Sequence, residues 1–318
     1  MNEAPQRWVG GRYPRKEDAA LLTGNARFID DMEPVAGIRH VAILRSSHAH
    51  ARIVSIDVSK AVALPGVRGV VTGADVADAM RPIPSAVRAP IKFYPIAIEK
   101  VRYVGEPVAV IAADDRYIAE DAMELIDIEY DPLPPLADPV AAAADGAALL
   151  HEDVGSNVVH HRTFKYGDPD AAFARADKVV KLDWRYPRYG STPMETYGIV
   201  ANFERQPDRY TVWSNFQGPF ILHALMTGAL GVPGNRLRLI TSPHSGGSFG
   251  IKQAMYPYMV LLAACSKLMG CPLKWIEDRL EHLIGSSSAA DRADSVEAAF
   301  ASDGELLGLR FDNLVNVG

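Results

Sequence analysis

The run Pro107-Val-Ala-Val-Ile-Ala-Ala113 contains no polar residue, and it constrains the fold more than any other stretch of the sequence. A strand with one wet face alternates apolar and polar side chains, whereas a continuous apolar run is a strand covered on both faces. Asp114 or Asp115 then caps a helix to about Leu125, and Ile126 to Tyr130 returns as a strand. Upstream, residues 38–45 and 51–58 read as strands, and Ser59 to Leu64 reads as a short helix stopped by Pro65-Gly66. Val67 to Thr72 follows as a strand, and a helix opened by Asp75 comes after it. These elements make one compact α+β unit, residues 1–135.

The stretch Asp131-Pro-Leu-Pro-Pro-Leu-Ala-Asp-Pro139 carries too many prolines for regular structure, and the Ala-rich segment beyond it has no strong period. Residues 136–155 read as a connection, and 156–318 as a second α+β unit. Its expected strands are 158–165, 177–187, 197–205, 209–214, 236–241 and Leu273–Ile276. Expected helices are Asp168–Ala176, Pro219–Leu230 stopped by Gly231 and Pro233, Ile251–Met269, and Asp278–Ile284. Residues 294–301 and 305–315 read as a hairpin around Asp303-Gly304. The sequence stops soon after that hairpin, so the second unit reads as incomplete: a natural split subunit or a truncation.

Composition excludes several classes of partner. The net charge of −6 and the absence of any run of Lys or Arg argue against nucleic acid or an anionic membrane surface. No apolar stretch approaches the ~20 residues that span a bilayer. Glu3 lies close to Met1 with no apolar segment following, unlike a secretory signal, so a cytoplasmic location is expected. The two cysteines, Cys265 and Cys271, cannot supply the four ligands of an iron–sulfur cluster, so any redox relay must lie on another chain.

The candidate site is Ser242-Pro-His-Ser-Gly-Gly-Ser-Phe-Gly-Ile-Lys252, a glycine-rich turn between a β-branched run and a long apolar helix. Glycines allow positive φ and close approach of a backbone to a ligand, and amides at a helix start point at anionic groups. Neither common nucleotide loop fits. The Walker pattern needs glycine before the lysine, where Ile251 stands, and the dinucleotide pattern needs a different glycine spacing. A plain structural β–α turn is the competing reading, and so is a loop that holds an unrelated anion. Lys252 is either an ion partner for a cofactor phosphate or a solvated charge of the first helical turn. His244 reads as satisfying a backbone carbonyl, since no second ligand stands at metal-binding spacing.

Earlier in the chain stand Trp213-Ser-Asn-Phe-Gln217-Gly-Pro219 and Pro193-Met-Glu195. The order Pro-Met-Glu, Gln-x-Pro, Gly231-Val-Pro233 and Gly-Gly-Ser-Phe-Gly-x-Lys resembles the molybdopterin-binding subunit of the xanthine dehydrogenase, aldehyde oxidase and carbon monoxide dehydrogenase family. Arg15-Lys-Glu-Asp18, Leu22-Thr-Gly24, Phe28-Ile-Asp-Asp31 and Tyr103-Val-Gly-Glu-Pro-Val108 resemble its opening domain, so the likeness runs along nearly the whole chain. It implies a small N-terminal a/b hammerhead domain followed by part of the molybdopterin-binding domain.

The resemblance implies further that Gln217 and Phe249 lie at the molybdenum centre. Gln217, Gly246, Gly247, Ser248, Phe249 and Gly250 would hold the cofactor, with no side chain as a direct metal ligand. Glu195 is implied to be structural. Ser248 replaces the third glycine of the usual turn, and Ile251 replaces a glycine common in xanthine-type enzymes. Gln253 stands on the substrate side, where those enzymes carry a purine-contacting glutamate, and a neutral amide there weakens a purine reading. The implied reaction is hydroxylation of a small molecule, an aldehyde, N-heterocycle or similar, with oxygen from water. The implied cofactor is molybdenum–molybdopterin, the cytosine dinucleotide form being one variant. The proton-accepting glutamate would lie in a complementary C-terminal half. Electrons would leave to an iron–sulfur subunit with [2Fe-2S] and to an FAD subunit, so the isolated chain is expected to be inactive. The alternative is a non-catalytic assembly or cofactor-carrier module of the same fold.

Overall fold

The computed structural model describes residues 8–84 and 89–316. Met1, Glu3 and Gly318, on which the leader and chain-end readings rest, lie outside the described residues. A short helix α1 (Asp18–Leu22) leads to β1 (Arg39–Arg45), β2 (Ala51–Asp57), α2 (Ser59–Ala63) and β3 (Val67–Thr72). Helix α3 (Gly73–Ala79) starts two residues before Asp75 because Thr72 is its N-cap. Asp75 sits at the third position and reaches back to the Thr72 amide, closing a capping box. Then come β4 (Lys100–Val101), β5 (Pro107–Ala113), α4 (Arg116–Glu124) and β6 (Asp127–Pro132). Asp115 caps α4 by accepting from the Ile118 amide.

The connection holds a helical turn, α5 (Pro139–Ala142), capped by Asp138. Its return is pinned by Asn157, whose carboxamide donates to the carbonyls of Ala142 and Ala148 at 3.0 and 2.8 Å and accepts from the Leu150 amide at 3.0 Å. The expected strand 158–165 does not form. Those residues are largely exposed and pair with no strand among the described residues, so the ladder that would define a strand is missing.

Beyond it lie α6 (Pro169–Ala174), β7 (Lys178–Tyr186), β8 (Gly198–Glu204), β9 (Arg209–Ser214), α7 (Pro219–Leu230) and β10 (Leu237–Thr241). Helix α8 (Tyr256–Met269) begins five residues later than expected. Pro257 lacks an amide hydrogen and is tolerated only in a first turn, so Ile251–Gln253 forms a separate 3₁₀ turn instead. The described chain closes with β11 (Leu273–Ile276), α9 (Arg279–Gly285), β12 (Arg292–Phe300) and β13 (Leu306–Val315).

Seven strands form one mixed sheet in the order β10-β9-β8-β11-β1-β5-β3. Strands from both sides of the proline-rich connection share it, joined where β11 runs parallel to β1 with Arg39 opposite Leu273. The apolar run of β5 is buried throughout and feeds three cores, Val108 packing with Ala51, Ala97 and Val101. Val110 and Ala112 face the large core built on α3, α7 and α8, while Ile111 and Ala113 pack toward Ala61, Ala119 and Ala122 of α2 and α4. Smaller sheets β4-β2-β6 and β13-β12-β7 flank the large one. No helix among the described residues is long and apolar enough to cross a membrane.

Candidate cofactor-binding turn

Strands β9 and β10 are parallel neighbours, with Thr241 opposite Ser214, so their C-terminal ends arrive side by side. The Ser242 amide continues the ladder to the Ser214 carbonyl at 3.2 Å. This topology delivers Gln217 and the glycine turn to one edge of the sheet. There the Gln217 amide donates to the Lys252 carbonyl at 3.2 Å, and the Ser248 hydroxyl donates to the Gln217 side-chain oxygen. Gln253 lies across Gly218, where a Cβ would stand 3.7 Å from its amide nitrogen. The structure thus gathers Gln217, Ser248 and Gln253, three residues spread over 37 positions of sequence, at one exposed edge.

The turn is braced from below. Glu195 Oε2 accepts from the Gly246 amide at 2.8 Å and from Lys252 Nζ at 2.6 Å, while its Oε1 faces the Ile29 amide at 3.4 Å. Lys252 is fully buried, so neither expectation for it holds: it is neither solvated nor facing outward, but the internal counter-ion of Glu195. Burial lowers its pKa, and the hydrogen bond and charge of Glu195 oppose that fall. A Cβ at Gly246 would lie 2.4 Å from the Glu195 Cβ, so this glycine is required by close packing on Glu195. His244 braces the other flank, its Nδ1 accepting from the Arg27 amide at 3.0 Å and its own amide donating to the Arg27 carbonyl at 3.2 Å.

Past Gly246 the turn opens. Gly247, Phe249 and Gly250 have φ of 100°, 52° and 95°, and a phenylalanine in the left-handed region is a strained choice that its surroundings must hold. Ser191 Oγ donates to the Phe249 carbonyl at 3.2 Å, and the Tyr197 hydroxyl donates to the Ile251 carbonyl at 2.9 Å. The Phe249 ring folds back over Gly247 and remains 76% exposed. The amides of Gly247, Ser248, Phe249 and Gly250 have no protein acceptor among the described residues. The Gly246 amide, in contrast, is already engaged by Glu195. Four free amides in and around left-handed backbone are donors of the kind that hold anions and oxo groups. No cluster of three His, Cys, Asp or Glu side chains is gathered among the described residues. The site offers neutral amides and hydroxyls.

Residues 150–318 match the family model of the molybdopterin cofactor-binding domain, and residues 23–134 match the a/b hammerhead domain of aldehyde oxidase and xanthine dehydrogenase. The chain belongs to this molybdopterin-binding family. It is 36% identical to the carbon monoxide dehydrogenase large chain of Afipia carboxidovorans, over 98% of this chain and 40% of the relative. It is 35% identical to the nicotine 6-hydroxylase large subunit of Paenarthrobacter nicotinovorans, over 98% of this chain and 38% of the relative. The solved quinoline 2-oxidoreductase of Pseudomonas putida 86 superposes with a TM-score of 0.85 at 36% identity, covering 94% of this chain and 38% of that one. The chain therefore spans about two-fifths of the length of the curated relatives it matches.

The turn and Gln217 both fall inside the molybdopterin-binding domain. Both are marked in the sequence by local signals, the glycines and the Gln-x-Pro step. Ser191 and Tyr197 escape that reading, since they hold two carbonyls of the turn as single residues of separate segments. No short motif marks such residues, and only the fold brings them together.

Proposed function

We propose that this chain is the molybdopterin-holding part of a molybdenum hydroxylase that oxidises a small organic molecule, such as an aldehyde or N-heterocycle, with oxygen from water. The observation that carries the reading is the row of four unengaged amides from Gly247 to Gly250 beside the Gln217–Ser248 pair. Neutral preorganised donors suit oxo and phosphate oxygens and cost no reorganisation on binding. When bound, the cofactor supplies two-electron redox chemistry at molybdenum. The cytosine dinucleotide form is the variant we favour testing first.

Each residue has a distinct task in this proposal. The Gln217 oxygen accepts from Ser248, which leaves its amide group free to donate outward. The exposed Phe249 ring is an apolar wall beside the turn. Gln253 offers a neutral amide on the substrate side. Glu195 is committed to Lys252 and the Gly246 amide, so it is not available to move a proton. The proton acceptor then belongs to the rest of a large subunit, and electrons leave to [2Fe-2S] and FAD subunits in the cytoplasm.

The sheet β13-β12-β7 supports the need for that remainder. In its register Leu182 stands opposite Val296, and Val296 opposite Phe311, while Val180, Ala298 and Leu309 align one step along. These side chains share one face, and Val180, Leu182, Leu309 and Phe311 are exposed. The opposite face is covered in part by α6, with Ala172 and Phe173 against Gly308. We read the bare apolar face as the surface on which the remaining part of a large subunit packs.

The test is Gln217→Ala in the assembled enzyme. It should retain pterin and fold while losing about 10²–10³ in turnover, the value of one preorganised donor. Full activity in a folded, molybdenum-loaded variant would remove Gln217 from the site.

A further inference from the structure

A chain of contacts runs from the buried Glu277–His282 pair out to the glycine turn, and the proposed reaction does not use it. Glu277 and His282 are 2% and 1% exposed. His282 Nδ1 lies 2.7 Å from Glu277 Oε2, which also accepts from the Tyr197 amide at 3.1 Å. His282 Nε2 faces the Ser191 carbonyl at 3.1 Å. Ser191 in turn donates its hydroxyl to the Phe249 carbonyl at 3.2 Å. Both ring nitrogens of His282 therefore face acceptors, and only the imidazolium donates from both. The hydrogen bond to Glu277 raises the His282 pKa, consistent with that form. Ser191 itself lies in an irregular segment between β7 and β8, near the Tyr189–Ala289 bridge. The Tyr189–Ala289 bridge and Arg279, which donates to the Pro193 and Met194 carbonyls, hold the segment on either side, and His282 is the contact at the Ser191 carbonyl itself.

We propose that His282, held by Glu277, is a positioning residue for the glycine turn, acting through Ser191 on the carbonyl of Phe249. The link acts where it is needed. Phe249 is the one non-glycine residue of the turn in the left-handed region, and such a conformation persists only when several contacts determine it. Glu195 fixes the start of the turn at Gly246 and Tyr197 fixes its end at Ile251, so the Ser191 contact holds the middle. The functional part of the inference rests on the turn being the cofactor's cradle. The positioning itself does not.

Hydrogen exchange on the full large subunit in its complex tests the inference. The reporters are the amides of Ile251, Gln253 and Ala254, which donate to Ser248, Gly250 and Ile251 and open when the turn loosens. Ser191→Ala should speed their exchange about five- to tenfold, the effect of one lost hydrogen bond on a local opening, with the α8 amides and the thermal midpoint unchanged. Ser191→Thr, which keeps the hydroxyl, should restore parent rates. His282→Gln should loosen the same amides, and adding Ser191→Ala to it should loosen them little further. Unchanged exchange in Ser191→Ala overturns the proposal even if His282→Gln fails to fold, and so do additive effects in the double variant. Pterin content of the same variants separates the two readings. Faster exchange with parent pterin content keeps the positioning chain and counts against the cradle, while unchanged exchange removes the chain and leaves the Gln217 test standing.

Discussion

Replacing Glu195 with Gln should destabilise this protein severely although the two side chains have nearly the same shape. The reason lies in Lys252, which is 0% exposed and has its ammonium 2.6 Å from Glu195 Oε2, whereas Glu195 itself keeps 14% of its side-chain surface in contact with water. Removing one partner of a buried pair leaves the other charge without compensation, which costs about 3–5 kcal/mol. Lys252→Met removes the more buried charge, and the remaining carboxylate keeps the Gly246 amide and some solvent, so about 1–3 kcal/mol is expected. The double variant should be more stable than the sum of the two predicts, with a coupling of at least about 1 kcal/mol. The pH dependence has a definite sign. With Glu195 neutralised only the more distant charge of Glu277 opposes the burial that already lowers the Lys252 pKa below 10.5, so the folded state holds fewer protons than the unfolded chain at alkaline pH. Stability of Glu195→Gln should therefore rise toward the parent's as pH climbs into that range. Urea unfolding of the three variants from neutral to alkaline pH reads all of this. A Glu195→Gln variant within about 1 kcal/mol of the parent at pH 7, with additive single effects, would refute the account of Lys252 as a buried counter-ion.

Three further outcomes follow from particular contacts. Glu106 is buried, and desolvation lifts its pKa from 4.5 to about 7 against the Arg102 amide and the charges of Arg102 and Lys100. Its contribution to stability is full below pH 4.5 and is lost as pH rises through 7, by up to about 3 kcal/mol. Glu106→Gln should be more stable than the parent at pH 8 and should flatten that slope, and an unchanged slope in urea titrations would assign the effect elsewhere. Gly247→Val should lower pterin content far more than the thermal midpoint, since Gly247 has φ of 100° and a Cβ there meets the Phe249 ring at 3.0 Å and Pro193 at 3.3 Å. Pterin retained at parent stoichiometry would place the cradle elsewhere. Leu182→Asp, at a side chain 58% exposed, should leave the unfolding of this chain within about 0.5 kcal/mol of the parent yet block its assembly with the complementary part of a large subunit. Assembly at parent affinity would show that the bare sheet face is not the packing surface.

What the sequence discloses here divides by the range of the interaction involved. The β5 run announced a strand covered on both faces because seven apolar side chains need no knowledge of their partners to demand burial. Caps such as Asp115 and stops such as Gly231 are legible for the same reason, being settled within a few residues. Misreadings arise where a local signal competes with a distant one. The stretch 158–165 has strand-like composition but pairs with no strand among the described residues, and the helix expected from Ile251 is delayed by the single ring of Pro257. Lys252 shows the limit most clearly. Its sequence neighbours are a solvent-facing turn and Gln253, so exposure is the natural expectation, yet Glu195 lies 57 positions away and draws it inside. The Ser191–His282 contact spans 91 positions and Arg27–His244 spans 217. A turn whose conformation is imposed by such distant partners can be located from its glycines, but how firmly it is held depends on residues that no motif marks. The sequence therefore marks the turn, while the fold shows which distant residues hold its conformation.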